Sequence, residues 1–432
     1  MLGLCSGANQ PMAESWFYLH DGKPVGPIEE EAVAALLRGG SLGPASYVWQ
    51  EGMADWQPVV EVPALRPLIV PVSVLPPPLP MRPQAGAPAR PRDGLLGNLA
   101  AGISRYAELP TLSGVPIRDM LLGGLYTGGK PLSIEDELIV GTGLTTPPLE
   151  ALSTQWPKPR IFWRIFGGAL ATYLLLQLGF WQFNNPNFIP GMIVIGSFVV
   201  PLAIVILFFE MNTPRNVSIY QVGKMFLLGG ALSLILTMIV LQIVPGSGSG
   251  GLLPAMLTGV VEETGKALTL LLVVRLIRYR WESNGLLFGA AVGAGFAGFE
   301  SAGYAFMAAL TDQNVSSATM TILLRGLLAP GGHVIWTAMV GSALWKIKKD
   351  RPFAVSMLFH PTVLRRWTIA VLLHGLWDTG IPFFPWFIQE PLLLILGWYI
   401  IFAILKEALA QVSAAQKTVM TTVILAQGSV GA

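Results

Sequence analysis

The chain has 432 residues, of which 53% are hydrophobic and only 12% are charged. Soluble domains carry about 25% charged residues, so a wholly water-facing surface is excluded and much of this chain must face lipid. A net charge of +2 gives no reason to expect a nucleic-acid partner, and a single cysteine, Cys5, excludes an internal disulfide framework and a thiolate zinc site.

Residues 1–14 read as an N-terminal extension, with Met12 as an alternative start, because nothing from Met1 to Pro11 has a visible structural role. Between residues 1 and 63 there is neither an apolar stretch long enough to span a bilayer nor a signal-peptide pattern. Trp16 to His20 reads as a strand closed by an Asp21-Gly22 hairpin turn. Glu30 to Leu37 has helical spacing, with Gly39-Gly40 as its stop. The set Trp16-Phe17-Tyr18, Gly22, Gly26-Pro27, Leu36-Leu37, Val48-Trp49, Gly52 and Trp56 resembles the GYF-like domain of the bacterial second type, over residues 15–66. That resemblance implies a small α+β domain with a proline-rich peptide as ligand on Trp16, Tyr18, Trp49 and Trp56. The Gly-Tyr-Phe of the better-known branch is missing, and the alternative is that the tryptophans simply form the domain core.

Residues 67–92, with Pro76-Pro77-Pro78-Leu79-Pro80, read as an extended linker. It is either a plain spacer or a latch docked on the aromatic domain. Residues 93–160 are mixed and weakly amphipathic, and read as a cytosolic or interfacial segment.

From Ile161 apolar runs of about 20 residues recur, the length that crosses a bilayer. They lie at 161–183, 188–209, 221–244, 252–276, 285–310, 320–344, 367–384 and 388–406. The expected fold is therefore an all-α polytopic membrane protein of about eight transmembrane helices, preceded by the small soluble domain. Residues 161–410 form the membrane domain and 411–432 a C-terminal tail. Basic breaks (Lys158 to Arg164, Arg215 and Lys224, Arg275 to Arg280, Lys346 to Arg366, Lys406) alternate with nearly uncharged ones. Positive-inside orientation then puts both termini in the cytoplasm.

Several ionisable residues fall where a membrane helix should have none. Glu262, Glu263 and Lys266 lie near the middle of the fourth span, where each ionised carboxylate costs a few kcal/mol unless it is partnered. Lys266 is one helical turn from both acids. Glu300, His333, and His374 with Asp378 four residues on, lie in the next three spans, among Gly289, Gly293, Gly295, Gly298 and Gly331-Gly332. Small residues let helices approach closely, and an intramembrane ionisable residue is a functional candidate by default. Arg325 reads as a charge snorkelling near the outer end of its span. Glu210, Lys224 and Glu390 sit at span ends and need no role, and His20 and His360 lie outside the bilayer.

Carboxylates and imidazoles in a hydrated membrane cavity either move protons or cations, or activate water for hydrolysis. The ordered set Glu262-Glu263-Thr264-Gly265-Lys266, Phe296-Ala297-Gly298-Phe299-Glu300, His333 and His374-Gly375-Leu376-Trp377-Asp378 resembles the PrsW family of intramembrane proteases, related to the type II CAAX prenyl endopeptidases. The resemblance covers about residues 160–410. It implies a peptidase of the bacterial plasma membrane that cleaves membrane-associated proteins, anti-sigma factors among them, by Glu-activated water. The catalytic set it implies is Glu262, Glu263, Lys266, Glu300, His333, His374 and Asp378. Either Glu262 or Glu263 would be the base, His333 and His374 would stabilise the oxyanion or protonate the leaving amine, and Asp378 would fix the His374 tautomer. A zinc-dependent variant with Glu300, His333 and His374 as ligands and a metal-free variant both stay open. The GYF-like domain would recruit or gate substrate. Two other classes compete: a proton- or cation-coupled transporter, which predicts a repeat that the sequence lacks, and an inactive membrane scaffold.

Overall fold

A computed structural model describes residues 15–20, 23–38, 42, 46–53, 55–65, 95–112, 115–126, 137–248, 250–273, 279–311, 315–379 and 385–430. The N-terminal extension, the Asp21-Gly22 turn, the Gly39-Gly40 stop and the Pro-rich linker lie outside the described residues. The chain divides into two compact units, Met1–Arg90 and Pro91–Ala432.

In the first unit β1 (Ser15–His20), β2 (Lys23–Glu29), β3 (Tyr47–Gln50) and β4 (Gln57–Pro58) form an antiparallel sheet in the order β2-β1-β3-β4, with α1 (Glu30–Arg38) after β2. Successive strand side chains point to opposite faces. Trp16 and Val48 accordingly join Val33 and Leu37 of α1 in the core, with Tyr18 packed against it. Phe17 pairs with Trp49 across β1 and β3, with ring centroids 5.8 Å apart. Gly26, at φ +151°, lies against that pair: a Cβ there would sit 2.7 Å from the Phe17 ring.

The second unit is helical. It begins with α2 (Leu95–Ala107) and α3 (Ile117–Tyr126) and continues with α4 (Ile161–Phe183), α5 (Phe188–Met211), α6 (Ile219–Leu241), α7 (Leu252–Val273), α8 (Glu282–Thr311), α9 (Val315–Leu328), α10 (His333–Lys348), α11 (Pro361–Asp378) and α12 (Trp386–Val430). Helices α9 and α10 are joined through a short 3-10 turn, Ala329–Gly331, and count as one crossing. Among the described residues, six crossings are long and apolar enough to span a membrane: α4, α5, α6, α8, α9 with α10, and α12. Helices α7 and α11 have 22 and 18 residues, but each carries three charged ones: Glu262, Glu263 and Lys266, and Arg365, Arg366 and Asp378. These charges set the two helices apart from the apolar pattern of the others. The chain is a multi-pass membrane protein with a small N-terminal sheet domain.

Helix ends explain two charges that had no role in the sequence reading. Glu210, at the end of α5, accepts the backbone N–H groups of Arg160, Ile161 and Phe162 at 2.6, 2.9 and 2.8 Å. It caps α4, whose first N–H groups have no intrahelical acceptor. Helix α11 begins at Pro361 rather than near 367, so Arg366 is not a loop charge. It is fully buried and donates to Glu282 at 2.6 Å, Ser342 at 2.6 Å and Glu407 at 3.0 Å, tying α11 to α8, α10 and α12. Helix α12 begins at Trp386, two residues before the span expected from 388, and runs on through the tail expected from 411, with Pro391 inside it.

Helices α8 and α10 meet backbone to backbone. Gly285, Gly289 and Gly293 form a stripe at four-residue spacing, and a Cβ on any of them would lie 2.3 Å from a carbonyl oxygen of α10, belonging to Gly341, Thr337 and His333 in turn. This approach sets His333 against the helix that bears Glu300. Gly289→Val is expected to force the pair apart and to cost about 1–3 kcal/mol, read as a lower melting temperature in detergent micelles.

Candidate active site

Helix α7 presents Glu262 and Glu263 one turn before Lys266, and Lys266 is fully buried. Its Nζ donates to Glu263 Oε1 at 2.8 Å, to Glu262 Oε2 at 3.2 Å and to His333 Nδ1 at 2.9 Å, and it lies 4.2 Å from the centroid of the Phe296 ring. Because an ammonium only donates, His333 Nδ1 is the acceptor, and the ring carries its proton on Nε2. That Nε2 faces Glu300 Oε2 at 3.0 Å. Gly259 lets α11 approach α7 so closely that a Cβ there would sit 2.9 Å from Val371 O and 3.4 Å from His374 Cβ. His374, 1% exposed, therefore reaches Glu263 Oε1 through Nδ1 at 2.9 Å. Its Nε2 lies 3.3 Å from Asp378 Oδ2 and 3.7 Å from Glu262 Oε2. Trp336 stacks on the His374 ring at 4.5 Å and fixes its plane.

Glu262, Glu263, Lys266, Glu300, His333, His374 and Asp378 thus come from four helices, α7, α8, α10 and α11, to one place. Each imidazole has one nitrogen on a carboxylate, His333 Nε2 on Glu300 and His374 Nδ1 on Glu263, while its other nitrogen lies 3.7 Å from Glu262 Oε2, with Lys266 nearer on His333 and Asp378 nearer on His374. This is the second-shell arrangement that holds a working imidazole in one tautomer and one orientation. Glu263, rather than Asp378, is the carboxylate on His374 Nδ1; Asp378 sits on the Nε2 side, with its side chain 35% exposed. Glu263 is fully buried, whereas Glu262 keeps 13% of its side chain exposed and lines a cavity of about 530 Å³. His333, Glu300, His374, Asp378, Trp336 and Trp377 line the same cavity.

Arg325 is engaged with this network instead of snorkelling. Its Nη2 donates to Glu300 Oε2 at 2.5 Å, the oxygen that also faces His333, its Nε donates to Ser301 Oγ at 2.7 Å, and its guanidinium lies over the Tyr304 ring. The turn before His333 is fixed from α12, where Trp398 Nε1 donates to Pro330 O at 2.9 Å. Glu390 also lines the cavity. A charge inside an apolar helix followed by Pro330-Gly331-Gly332 was the available signal for Arg325; the sequence offers none for Glu390.

The donor set suits a divalent metal in number and type. Glu262, His333 and His374 each offer one ligand atom, and these lie within 4.8 Å of one another. Glu262 Oε2 is 3.7 Å from both His333 Nδ1 and His374 Nε2, close to the separation of about 3.4 Å between tetrahedral ligands at about 2.1 Å from zinc. Glu262 takes the place that the sequence reading gave to Glu300, which is occupied by Arg325 and His333. Two of the three ligand atoms are also bonded to Lys266, so an ammonium and a metal ion are alternatives there.

In the N-terminal unit the four aromatic residues expected to bind a peptide do not share a surface. Trp16 is 1% exposed and offers no face to a ligand. Tyr18 packs on the core, and Trp49 lies on the opposite sheet face with Phe17, its Nε1 donating to Met53 O at 2.9 Å. Trp56 is half-buried, its backbone N–H bonded to Asp55. The alternation along β1 was the signal for Phe17 as the partner of Trp49.

Comparison with known proteins gives two family matches. Residues 218–405 match the PrsW family intramembrane metalloproteases, and residues 16–65 match GYF domain 2. No curated protein and no solved structure matches the chain.

Proposed function

Since residues 218–405 belong to the PrsW family of intramembrane proteases, we propose that the chain cleaves membrane-associated protein substrates with Glu262 as the general base. The observation that carries this is the inequality of the carboxylates. Glu263 is committed to Lys266 and His374, and Glu300, which also lines the cavity, is committed to Arg325 and His333, while Glu262 lines it with only loose contacts of 3.2, 3.7 and 3.7 Å. Water in the cavity would lose a proton to Glu262 and attack the scissile carbonyl. His374 Nε2, held through Nδ1 by Glu263, would deliver a proton to the leaving amine and recover one from Glu262, 3.7 Å away, while Lys266 would keep Glu262 ionised before the transfer. Trp336 and the buried face of the cavity keep the reacting groups in a low-dielectric setting, where these interactions are stronger.

The orientation in this proposal places both termini in the cytoplasm of a bacterial cell, by the distribution of basic residues. The domain matched over residues 16–65 would recruit or gate substrate, which includes anti-sigma-factor-like membrane proteins. A survey of protein N-termini in cells tests the reading, comparing the wild type with a Glu262→Ala, Glu263→Ala double variant at matched membrane levels. New N-termini within or beside transmembrane segments, made only by the wild type, support proteolysis and name the substrate. Identical surveys would move the assignment to cation transport or to a scaffold.

A metal-dependent form is a second reading, favoured by the convergence of Glu262, His333 and His374. A bound divalent ion would acidify its water and polarise the carbonyl. Stoichiometric divalent metal in purified wild type, lost in His333→Ala, is the expected result on this reading. Cleavage by rigorously chelated protein would leave Glu-activated water as the mechanism.

A further inference from the structure

Gln389 ties the first turn of α12 to the end of α11. Its Nε2, in a side chain that is nearly fully buried, donates to Leu376 O at 2.5 Å and to Thr379 O at 2.8 Å. The adjacent Glu390 is thereby held on the wall of the catalytic cavity, in company with Asp378 and Trp377. Glu390 Oε2 is buried and has no hydrogen-bond partner among the described residues. The other carboxylates on that wall are all engaged: Glu262 by Lys266, Glu300 by Arg325 and His333, and Asp378 by His374. Among the described residues the lining holds four carboxylates and a single arginine, and that arginine is committed to Glu300 and Ser301.

We propose that Glu390 is a cation-selecting subsite that takes a lysine or arginine side chain of the substrate close to the scissile bond; this rests on the peptidase reading above. A basic side chain entering the cavity would make a charge-assisted hydrogen bond to the oxygen that now lacks a partner. A neutral side chain would leave that oxygen buried and unpaired, and an acidic one would meet a like charge, so the subsite discriminates by penalty as well as by attraction. Glu390 is not among the converging metal-ligand atoms, which argues for an organic cation rather than a metal ion at this end of the cavity.

Digestion of a proteome-derived peptide library by the full chain in detergent micelles tests this. Wild type is expected to show lysine and arginine enriched at one fixed position within a few residues of each cut. In Glu390→Gln the ratio of basic to neutral residues at that position should fall about tenfold, and in Glu390→Lys the preference should turn to aspartate and glutamate. Unchanged enrichment in Glu390→Gln, or no enrichment in wild type, overturns the subsite. A wild type that makes no cuts, or a Glu262→Gln, Glu263→Gln double variant that cuts equally well, instead overturns the peptidase reading on which it rests.

Discussion

Glu262→Gln is expected to lower the cleavage rate about a thousandfold, within the range attributed to a positioned general base, while the protein stays folded. The amide keeps the shape of the side chain and can still accept from Lys266, but it cannot take a proton from water. Glu263→Gln should behave differently. Glu263 is fully buried and accepts from both Lys266 and His374, so its loss removes a charge from a closed network and releases the His374 ring. That variant should lose melting temperature and activity together. Rates and melting curves for the two purified variants separate the roles. An active Glu262→Gln beside a stable but inactive Glu263→Gln would reverse the assignment.

Lys266→Met is expected to cost about 3–5 kcal/mol, because it leaves buried charge without compensation. Two carboxylates on the same helix would face each other with no cation between them, and His333 Nδ1 would lose its donor. Thermal unfolding in detergent should show the loss, and adding Glu263→Gln should restore part of it, since the two residues share one network. The same variant frees two of the three candidate ligand atoms, so a divalent ion should raise its melting temperature more than that of the wild type. A Lys266→Met protein that melts like the wild type would mean that the ammonium is not the centre of this network.

The helices were legible because lipid imposes length and apolarity: the reading of 161–183 coincides with α4, and the ionisable residues stood out against that background. The division of labour among those residues was not legible. Spacing along α7 places Lys266 near both acids, but nothing in it says that Glu263 turns to His374, since that contact joins positions 111 residues apart. Arg325 looked like a snorkelling charge because its partner, Glu300, lies on another helix. Glu390 looked idle because the cavity that it lines is built from other helices. In the N-terminal domain, aromatic content suggested a peptide surface, but the alternation of a strand sends Trp16 inward and Phe17 outward, and composition does not record that.

The three charges on α7 and the three on α11 bear on how the protein is made. A charged residue at a helix centre costs about 2.5–3.5 kcal/mol on insertion scales, so a lone α7 leaving the ribosome would gain little by entering lipid. Lys266 offsets one of its two carboxylates within the helix, and the remaining partners come from the bundle: His374 of α11 bonds to Glu263, and His333 of α10 accepts from Lys266. Helix α11 is synthesised well after α7, so α7 is expected to wait at the translocon or the headgroup layer until its partner emerges. On the proposed function, topogenesis and catalysis would depend on the same side chains. A copy that fails to pair them would be left with the wrong number of crossings, and correct threading would itself select the molecules whose catalytic groups have met.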